Sequence, residues 1–257
     1  MPTDDSPISS LHTDDSPVAT LSHTDDQSCP KVSTVGSAQF NLTEWTRKTW
    51  YIQAQQIVQY QQLEDLYCVA ATYDLDNKTV PFFRGTVVTV YNYANVGQVN
   101  GPNQNKDNMT LVRQSRNPNA PLSSSTKRLT ITSLIPTCQC ARAVDATDSS
   151  KLAVAPCFLP NILAGPYWVL GIGTAKDGTY EWAVVIGGEP SVKWDDGCTT
   201  KEEGTNGAGL WLFSRTPTAS KKAMAAMYDL LKTKGVARSR LHEVPHAKCK
   251  YDGAFLK

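Results

Sequence analysis

From residue 29 onward, short stretches rich in Val, Ile, Thr, Tyr and Trp alternate with loops rich in Gly, Pro, Asn and Ser. This alternation is typical of an all-β chain, because branched and aromatic side chains favour strands and the loop residues favour turns. Eight such stretches lie at residues 49–59, 67–74, 83–93, 129–135, 151–157, 167–173, 180–187 and 209–214. Eight sequential antiparallel strands can close into an up-and-down barrel, which removes the unpaired edges of the sheet. We therefore expect an all-β, eight-stranded antiparallel barrel.

One helix is predicted after the last strand. Thr218 or Ser220 can cap its first turn, and Gly235 stands where a left-handed residue ends a helix. The apolar positions at helical spacing are Met224, Met227, Leu230 and Leu231. An apolar stripe of this kind predicts that the helix packs against the outside of the barrel.

Residues 1–28 form an imperfect Thr-Asp-Asp-Ser repeat without an aromatic residue. Such a segment buries too little apolar surface to fold by itself, so we expect a disordered tail before one domain at residues 29–257. The Asp pairs of the tail leave open a weak divalent-cation or partner-binding role. The polar insertion at residues 103–126 is a second candidate contact for a protein partner.

The charge balance and the length of the apolar stretches each exclude one class of function. The chain has 25 basic and 24 acidic residues and a formal net charge of +1, whereas a nucleic-acid surface needs a concentration of basic residues. No stretch approaches the roughly 18 consecutive apolar residues that span a bilayer. We expect neither nucleic-acid binding nor a membrane-spanning segment.

Seven cysteines are dispersed along the chain, without a CxxC pair or a nearby histidine: Cys29, Cys68, Cys138, Cys140, Cys157, Cys198 and Cys249. Dispersal favours disulfides in an oxidising compartment over a zinc site, whose ligands are usually grouped. Sequons at Asn41, Asn77 and Asn108 also suggest a secreted glycoprotein. Because the first residues contain no apolar signal core, secretion would need a leader that precedes this numbering.

Three motifs, in order, resemble those of the lipocalin family. The first comprises Cys29-Pro30, Phe40-Asn41-Leu42 and Thr49-Trp50-Tyr51, with Lys48 where the family has a glycine. The second comprises Pro166–Leu170 and Tyr180–Val185, after a degraded turn at Lys176–Tyr180. The third, Leu210–Pro217, is similar to the last strand of bacterial lipocalins, apolipoprotein D and bilin-binding protein. The resemblance covers residues 29–251 and extends more distantly to plastid lipocalins and violaxanthin de-epoxidase.

The resemblance implies structural roles for several residues. Trp50 would plug one end of the barrel, Arg215 would lie over its indole and donate to main-chain carbonyls, and Tyr180 belongs to the second motif. It also implies Cys29–Cys198 and Cys68–Cys249 disulfides. Of the remaining cysteines, Cys138 or Cys140 is expected to pair with Cys157, with Cys140 as the preferred partner.

The resemblance further implies non-catalytic transport or storage of a small hydrophobic ligand: a bilin, a carotenoid or xanthophyll, a retinoid or a fatty acid. An eight-stranded barrel has room for side chains or one such ligand. The candidate ligand-binding residues are Tyr51, Gln53, Gln55, Tyr67, Phe83, Tyr91, Tyr167 and Trp182. No metal is expected and no cofactor is required; a pigment or lipid is the expected cargo.

Two other functions remain open. A xanthophyll de-epoxidase-like enzyme would need paired acids inside the barrel, but the acids cluster in predicted turns and the histidines lie outside the predicted strands. The barrel could instead be a structural subunit that docks onto a larger, possibly photosynthetic, complex. A plastid or thylakoid lumen is then the alternative to secretion, since both compartments can be oxidising.

Overall fold

A closed ring of eight antiparallel strands forms the centre of the molecule. The computed structural model describes residues 28–104, 139–204 and 207–257. The barrel strands are β1 (Trp50–Gln56), β2 (Tyr67–Asp74), β3 (Val87–Asn95), β4 (Gln139–Ala143), β5 (Lys151–Pro156), β6 (Gly165–Thr174), β7 (Tyr180–Ile186) and β10 (Leu210–Ser214). Neighbours in this order pair with each other, and β10 pairs back with β1. The predicted barrel is therefore confirmed.

Shorter elements surround the ring. The described residues also form α1 (Leu42–Thr46), α2 (Lys221–Thr233), the hairpin of β8 (Val192–Trp194) and β9 (Gly197–Thr199), and β11 (Leu241–Glu243). Two 3₁₀ turns lie at Leu63–Asp65 and Asn161–Leu163. Strand β11 pairs with the second half of β1, beyond the point where β1 leaves β2.

The prediction at residues 129–135 lies outside the described residues, as do residues 1–27 and almost all of the 103–126 insertion. The fourth strand is β4, whose sequence Gln-Cys-Ala-Arg-Ala has no β-branched or aromatic residue. Pairing with β3 and β5 places these residues in the sheet despite their weak strand preference.

The two ends of the barrel differ. The β1–β2, β3–β4, β5–β6 and β7–β10 connections leave the strands at one end, which we call the open end. Helix α1 and the start of β1 lie at the opposite, closed end. A β-bulge between Ile52 and Ala54 in β1 shifts the inward and outward alternation of that strand.

Helix α2 packs on the outer face of β6, β7 and β10, as predicted. Ser220 caps it through a hydrogen bond from Ala223 N to Ser220 Oγ (3.1 Å), and Gly235 follows it with a φ of 65°. Met227 and Leu231 are fully buried between the helix and the outward side chains of the strands. Leu230 occupies the space above Gly171, where an added Cβ would lie 2.1 Å from Leu230 Cδ2.

Replacing Met227 by Ala should lower the free energy of unfolding by about 2–5 kcal/mol, because it opens a cavity under a docked helix. Chemical denaturation measures the change. Met224, which is only partly buried on the same face, is the matched control, and Met224→Ala should cost clearly less. Equal losses for the two variants would contradict the observed docking of α2.

Three disulfides join the barrel to its surrounding segments: Cys29–Cys198, Cys68–Cys249 and Cys140–Cys157. These are the expected pairs, and Cys138 lies outside the described residues. Cys68 points outward from β2 and fixes the C-terminal segment, residues 244–257, along the outer face of the barrel.

Aromatic contacts and a buried histidine hold the C-terminal segment in place. The rings of Tyr91 and Phe255 lie 4.8 Å apart. His246 Nε2 lies 2.6 Å from the carbonyl oxygen of Ile52, which can only accept, so Nε2 carries the proton and donates. Nδ1 therefore accepts from the Tyr251 hydroxyl at 2.6 Å. Burial lowers the pKa of His246 below its ordinary value of 6.5.

The sign of this pKa shift predicts a pH dependence. Because the unfolded chain binds a proton on His246 more readily than the folded protein, stability should fall as pH drops from 8 through 6.5 toward the lowered folded pKa. Denaturant unfolding at pH 8, 6.5 and 5 should show a smaller loss for His246→Gln than for the wild type. Identical pH profiles for the two proteins would exclude this role for His246.

Candidate ligand-binding site

The closed end of the barrel is sealed by two neighbouring indoles and an arginine. Trp45 of α1 and Trp50 of β1 are fully buried with ring centroids 4.8 Å apart. The Arg215 guanidinium lies 3.5 Å from the centroid of the Trp50 ring. It donates to the carbonyl oxygens of Lys48, Glu44 (2.6 Å) and Trp45 (3.1 Å). The arrangement expected for Trp50 and Arg215 is therefore present.

Burial changes the pKa of Arg215, and hydrogen bonds of Glu44 and Tyr180 hold the closed end together. Desolvation lowers the pKa of Arg215 to about 9, against the opposing effect of the nearby Glu44 carboxylate. Glu44 also accepts a hydrogen bond from the main-chain N–H of Tyr180 (2.9 Å). The Tyr180 hydroxyl donates to Gln39 O (2.8 Å) and accepts from Asn41 N (2.6 Å). Tyr180 thus holds the segment before α1 across the closed end.

Removing the Arg215 side chain should destabilise the fold. We expect Arg215→Ala to lower the free energy of unfolding by about 2–4 kcal/mol, because three carbonyls lose a charged donor and Trp50 loses its cation contact. Arg47 is the matched control, since it makes an ion pair with Glu44 at the same end but keeps 34% of its side chain exposed. Arg47→Ala should cost less than about 1 kcal/mol. A similar cost for both would show that Arg215 adds only a surface charge.

Above the closed end, the inner wall is uncharged and contains many small residues. The strand registers place five alanines inward: Ala71, Ala94, Ala141, Ala143 and Ala183. The other inward side chains of the eight described strands are branched aliphatics, Pro156, aromatics and the amides of Gln55, Asn92 and Gln139. Because side chains normally fill a barrel of this size, the alanines leave room along its axis.

A group of tyrosines forms the main polar feature of the interior. The hydroxyls of Tyr73 and Tyr167 lie 2.7 Å apart and share one hydrogen bond. Burial raises the pKa of both phenols above the ordinary value of 10, and the proximity of Tyr60 raises each of them further. Tyr60 comes from the β1–β2 connection, so its phenol reaches from the open end toward this pair.

Tyr60 and Asn92 indicate an enclosed space inside the barrel. Tyr60 is 52% exposed, yet burial raises the pKa of its phenol to about 12. A side chain that is both accessible and surrounded by protein faces a cavity rather than bulk solvent. Asn92 is exposed although the register places it inward, opposite Ala71. These two side chains therefore mark the wall of a space inside the barrel.

Gln55 provides a second polar group in the interior. It lies opposite Trp211, whose ring centroid is 6.2 Å from that of Tyr167. Gln55 is fully buried, and its Nε2 donates to Gln61 Oε1 (3.0 Å). Its Oε1 has no hydrogen-bond partner. A buried acceptor without a partner is costly, which makes this atom a candidate contact for a bound molecule.

The open end carries exposed apolar side chains on two of its connections. Leu63 follows β1, and Phe158, Ile162 and Leu163 lie between β5 and β6. Ile162 is 88% exposed. An apolar rim of this kind is suited to the entry of an apolar molecule.

The structure brings only two of the eight predicted ligand-binding residues, Gln55 and Tyr167, into the interior. The other six lie outside the interior, and their contact with a ligand stays a prediction: Tyr51, Gln53, Tyr67, Phe83, Tyr91 and Trp182. Other segments of the chain cover most of these outer positions, so their aromatic character reflects packing on the outer face.

Individual contacts explain these outward positions. Tyr51 packs against Tyr251 of the C-terminal segment, with ring centroids 5.3 Å apart. Gln53 lies beside the bulge and accepts from Ala219 N (2.8 Å), next to the start of α2. Trp182 covers Gly173 on the outer face. Phe83 packs beside the outward Cys140.

The sequence reasoning missed Trp45, Tyr60, Tyr73, Asn92 and Trp211. The sequence does contain a signal for which β2 side chains point inward. The expected Cys68–Cys249 bond joins that strand to a segment outside the barrel. Cys68 must then point outward, and alternation turns Val69, Ala71 and Tyr73 inward. No comparable signal identifies Tyr60, which lies in a loop.

The described residues provide no group of three or more His, Cys, Asp or Glu side chains that could hold a metal ion. No helix in the same part of the chain is long and apolar enough to cross a membrane.

Comparisons with known proteins find similarity among solved structures. No family model matches the sequence, and no curated protein matches it. Apocrustacyanin C2 aligns at 14% identity and a TM-score of 0.49, covering 88% of this chain and 95% of its own. Lobster apocrustacyanin A1 aligns at 13% and 0.48, covering 90% and 98%. Insecticyanin from the tobacco hornworm, Manduca sexta, aligns at 13% and 0.40, covering 84% and 85%.

The class of fold follows from the topology of this chain. An eight-stranded up-and-down barrel, a short helix with an arginine–tryptophan contact at one end, and a C-terminal helix with a further strand outside define a lipocalin fold. The fold expected from the three sequence motifs is confirmed.

Proposed function

We propose that this protein binds a small hydrophobic ligand inside its barrel and carries or stores it without chemical change. The observation that carries this proposal is the enclosed, uncharged interior, marked by the accessible inward side chains of Tyr60 and Asn92. One end of this space is sealed by Trp45 and Trp50, and the other opens between apolar loops. A pocket that is mostly apolar, with a few placed polar groups, is the usual form of a small-molecule site.

The chemistry of the inner wall supports binding rather than catalysis. Above the closed end, the inward positions of the eight strands carry no acid pair and no histidine that could transfer protons. Six cysteines are joined in disulfides and have no thiol to act as a nucleophile. The phenols of Tyr73 and Tyr167 stay protonated because burial raises their pKa.

Tryptophan fluorescence tests the proposal, since Trp211 lies on the inner face beside Tyr167. Titration with an apolar polyene such as retinol should quench the emission saturably. Asn92→Phe should abolish this binding or weaken it by at least about tenfold, because the ring extends into the space that Asn92 lines. Thr174→Phe places the same ring at an exposed strand end and is the matched control.

Thermal unfolding of both variants shows whether each keeps its fold. Saturable quenching that Asn92→Phe leaves unchanged would place the ligand outside the barrel. No quenching by retinoids, fatty acids or pigments would contradict the proposal and favour the assembly-subunit alternative.

We also propose that the protein works in an oxidising compartment. Three disulfides favour an oxidising environment, such as the extracellular space or a lumen. Glycosylation of the sequons and contact of the N-terminal tail with a protein partner stay predictions.

A further inference from the structure

We infer that the ligand is an uncharged molecule with a hydroxyl group, held by Tyr60 and Gln55 toward the open end of the barrel. This inference rests on the proposed function and narrows it to one chemical class: apolar alcohols rather than apolar carboxylates. Among the expected ligands it favours retinol and hydroxylated carotenoids, which are uncharged. It disfavours fatty acids and bilins, which carry carboxylates.

The first argument is the absence of a cation on the inner wall. Above the closed end, the inward positions of the eight described strands include no Lys or Arg. Arg215 lies against Trp50 and is occupied by three main-chain carbonyls. A carboxylate moved from water into this interior would lose its hydration without gaining a charged partner, which is strongly unfavourable. An alcohol loses much less.

The second argument is the chemistry of Tyr60. Tyr60 is 52% exposed as a residue, its phenol is enclosed enough for burial to raise the pKa, and the described structure gives its hydroxyl no hydrogen-bond partner. Enclosure favours the protonated phenol, so Tyr60 presents an O–H donor to a bound molecule. The neighbouring Tyr73 and Tyr167 hydroxyls share one hydrogen bond, so the accepting hydroxyl of that pair keeps its own O–H, and Tyr60 adds a donor that comes from the open-end connection.

The third argument is the unpaired acceptor on Gln55. Its Oε1 is buried and without a partner, while its Nε2 is engaged by Gln61, the residue that follows Tyr60. Gln55 and Tyr60 are thus linked through one short segment at the same end of the barrel. A hydroxyl can accept from Tyr60 and donate to Gln55, whereas a carboxylate can only accept and would be repelled by Oε1.

Two retinoids with one skeleton provide the test: all-trans-retinol and all-trans-retinoate, titrated by tryptophan quenching at pH 8. Retinol should bind at least about tenfold more tightly than retinoate, a ratio set by charge desolvation. The pair hexadecan-1-ol and palmitate, measured by displacement of retinol, should show the same order.

Substitution at Gln55 tests the acceptor. Gln55→Leu should reduce the retinol-to-retinoate ratio at least about threefold, because it removes both the acceptor for the hydroxyl and the repulsion of the carboxylate. Gln53→Leu is the matched control, since the same residue type two positions earlier faces outward, and it should leave the ratio unchanged. A purely structural loss would weaken both retinoids equally.

Substitution at Tyr60 tests the donor. Tyr60→Phe should weaken retinol binding about five- to tenfold, the effect of one lost hydrogen bond. Tyr51→Phe removes a phenol from the outer face of the barrel, near the closed end, and should have no effect.

The outcomes separate the inference from the proposed function. Retinoate binding as tightly as retinol would overturn the inference and leave a ligand-binding barrel intact. The assigned contacts would be overturned if Gln55→Leu left the retinol-to-retinoate affinity ratio unchanged, or if Tyr60→Phe left the affinity for retinol unchanged. No binding of either retinoid or either C16 compound would overturn the proposed function and the inference together.

Discussion

The pairing of β10 with β1 is the constraint on which the rest of the molecule depends. Closing the ring leaves no open sheet edge in the barrel and separates an inside from an outside on every strand. It also brings the end of β10 beside the start of β1. Arg215, the first residue after β10, therefore reaches the Trp50 indole and the carbonyls of α1 and of Lys48. The seal of the closed end is thus a consequence of ring closure.

The sequence predicts the barrel well because its signals are local. Branched and aromatic stretches, the Ser220 cap and Gly235 indicate elements that neighbouring residues are sufficient to form. β4 is different, since Gln139–Ala143 has little strand preference of its own and is a strand because β3 and β5 pair with it. Motif resemblance supplied what local patterns could not, namely the disulfide partners and the contact of Arg215 with Trp50.

The candidate site was harder to predict, because inward and outward positions depend on a single bulge and on what covers the barrel. Gln53 and Gln55 would share a face in a regular strand, but the shift between Ile52 and Ala54 sends them to opposite faces. Tyr51 and Tyr91 are aromatic strand residues of the kind expected to line a pocket. The C-terminal segment nevertheless packs over both on the outer face. Aromatic strand residues therefore identify the interior only after the outer cover is known.

The closed end of the barrel contributes to stability, whereas the groups toward the open end are the ones proposed to recognise the ligand. At the closed end, the carbonyls of Glu44 and Trp45 accept from a charged donor, and such hydrogen bonds are stronger than neutral ones. Toward the open end, Gln55 Oε1 lacks a partner, a cost of about 1–3 kcal/mol in the ligand-free protein. A bound hydroxyl removes that cost, so ligand and protein stabilise each other there. The same unsatisfied acceptor penalises a carboxylate, which gives the apolar interior a basis for selection beyond shape.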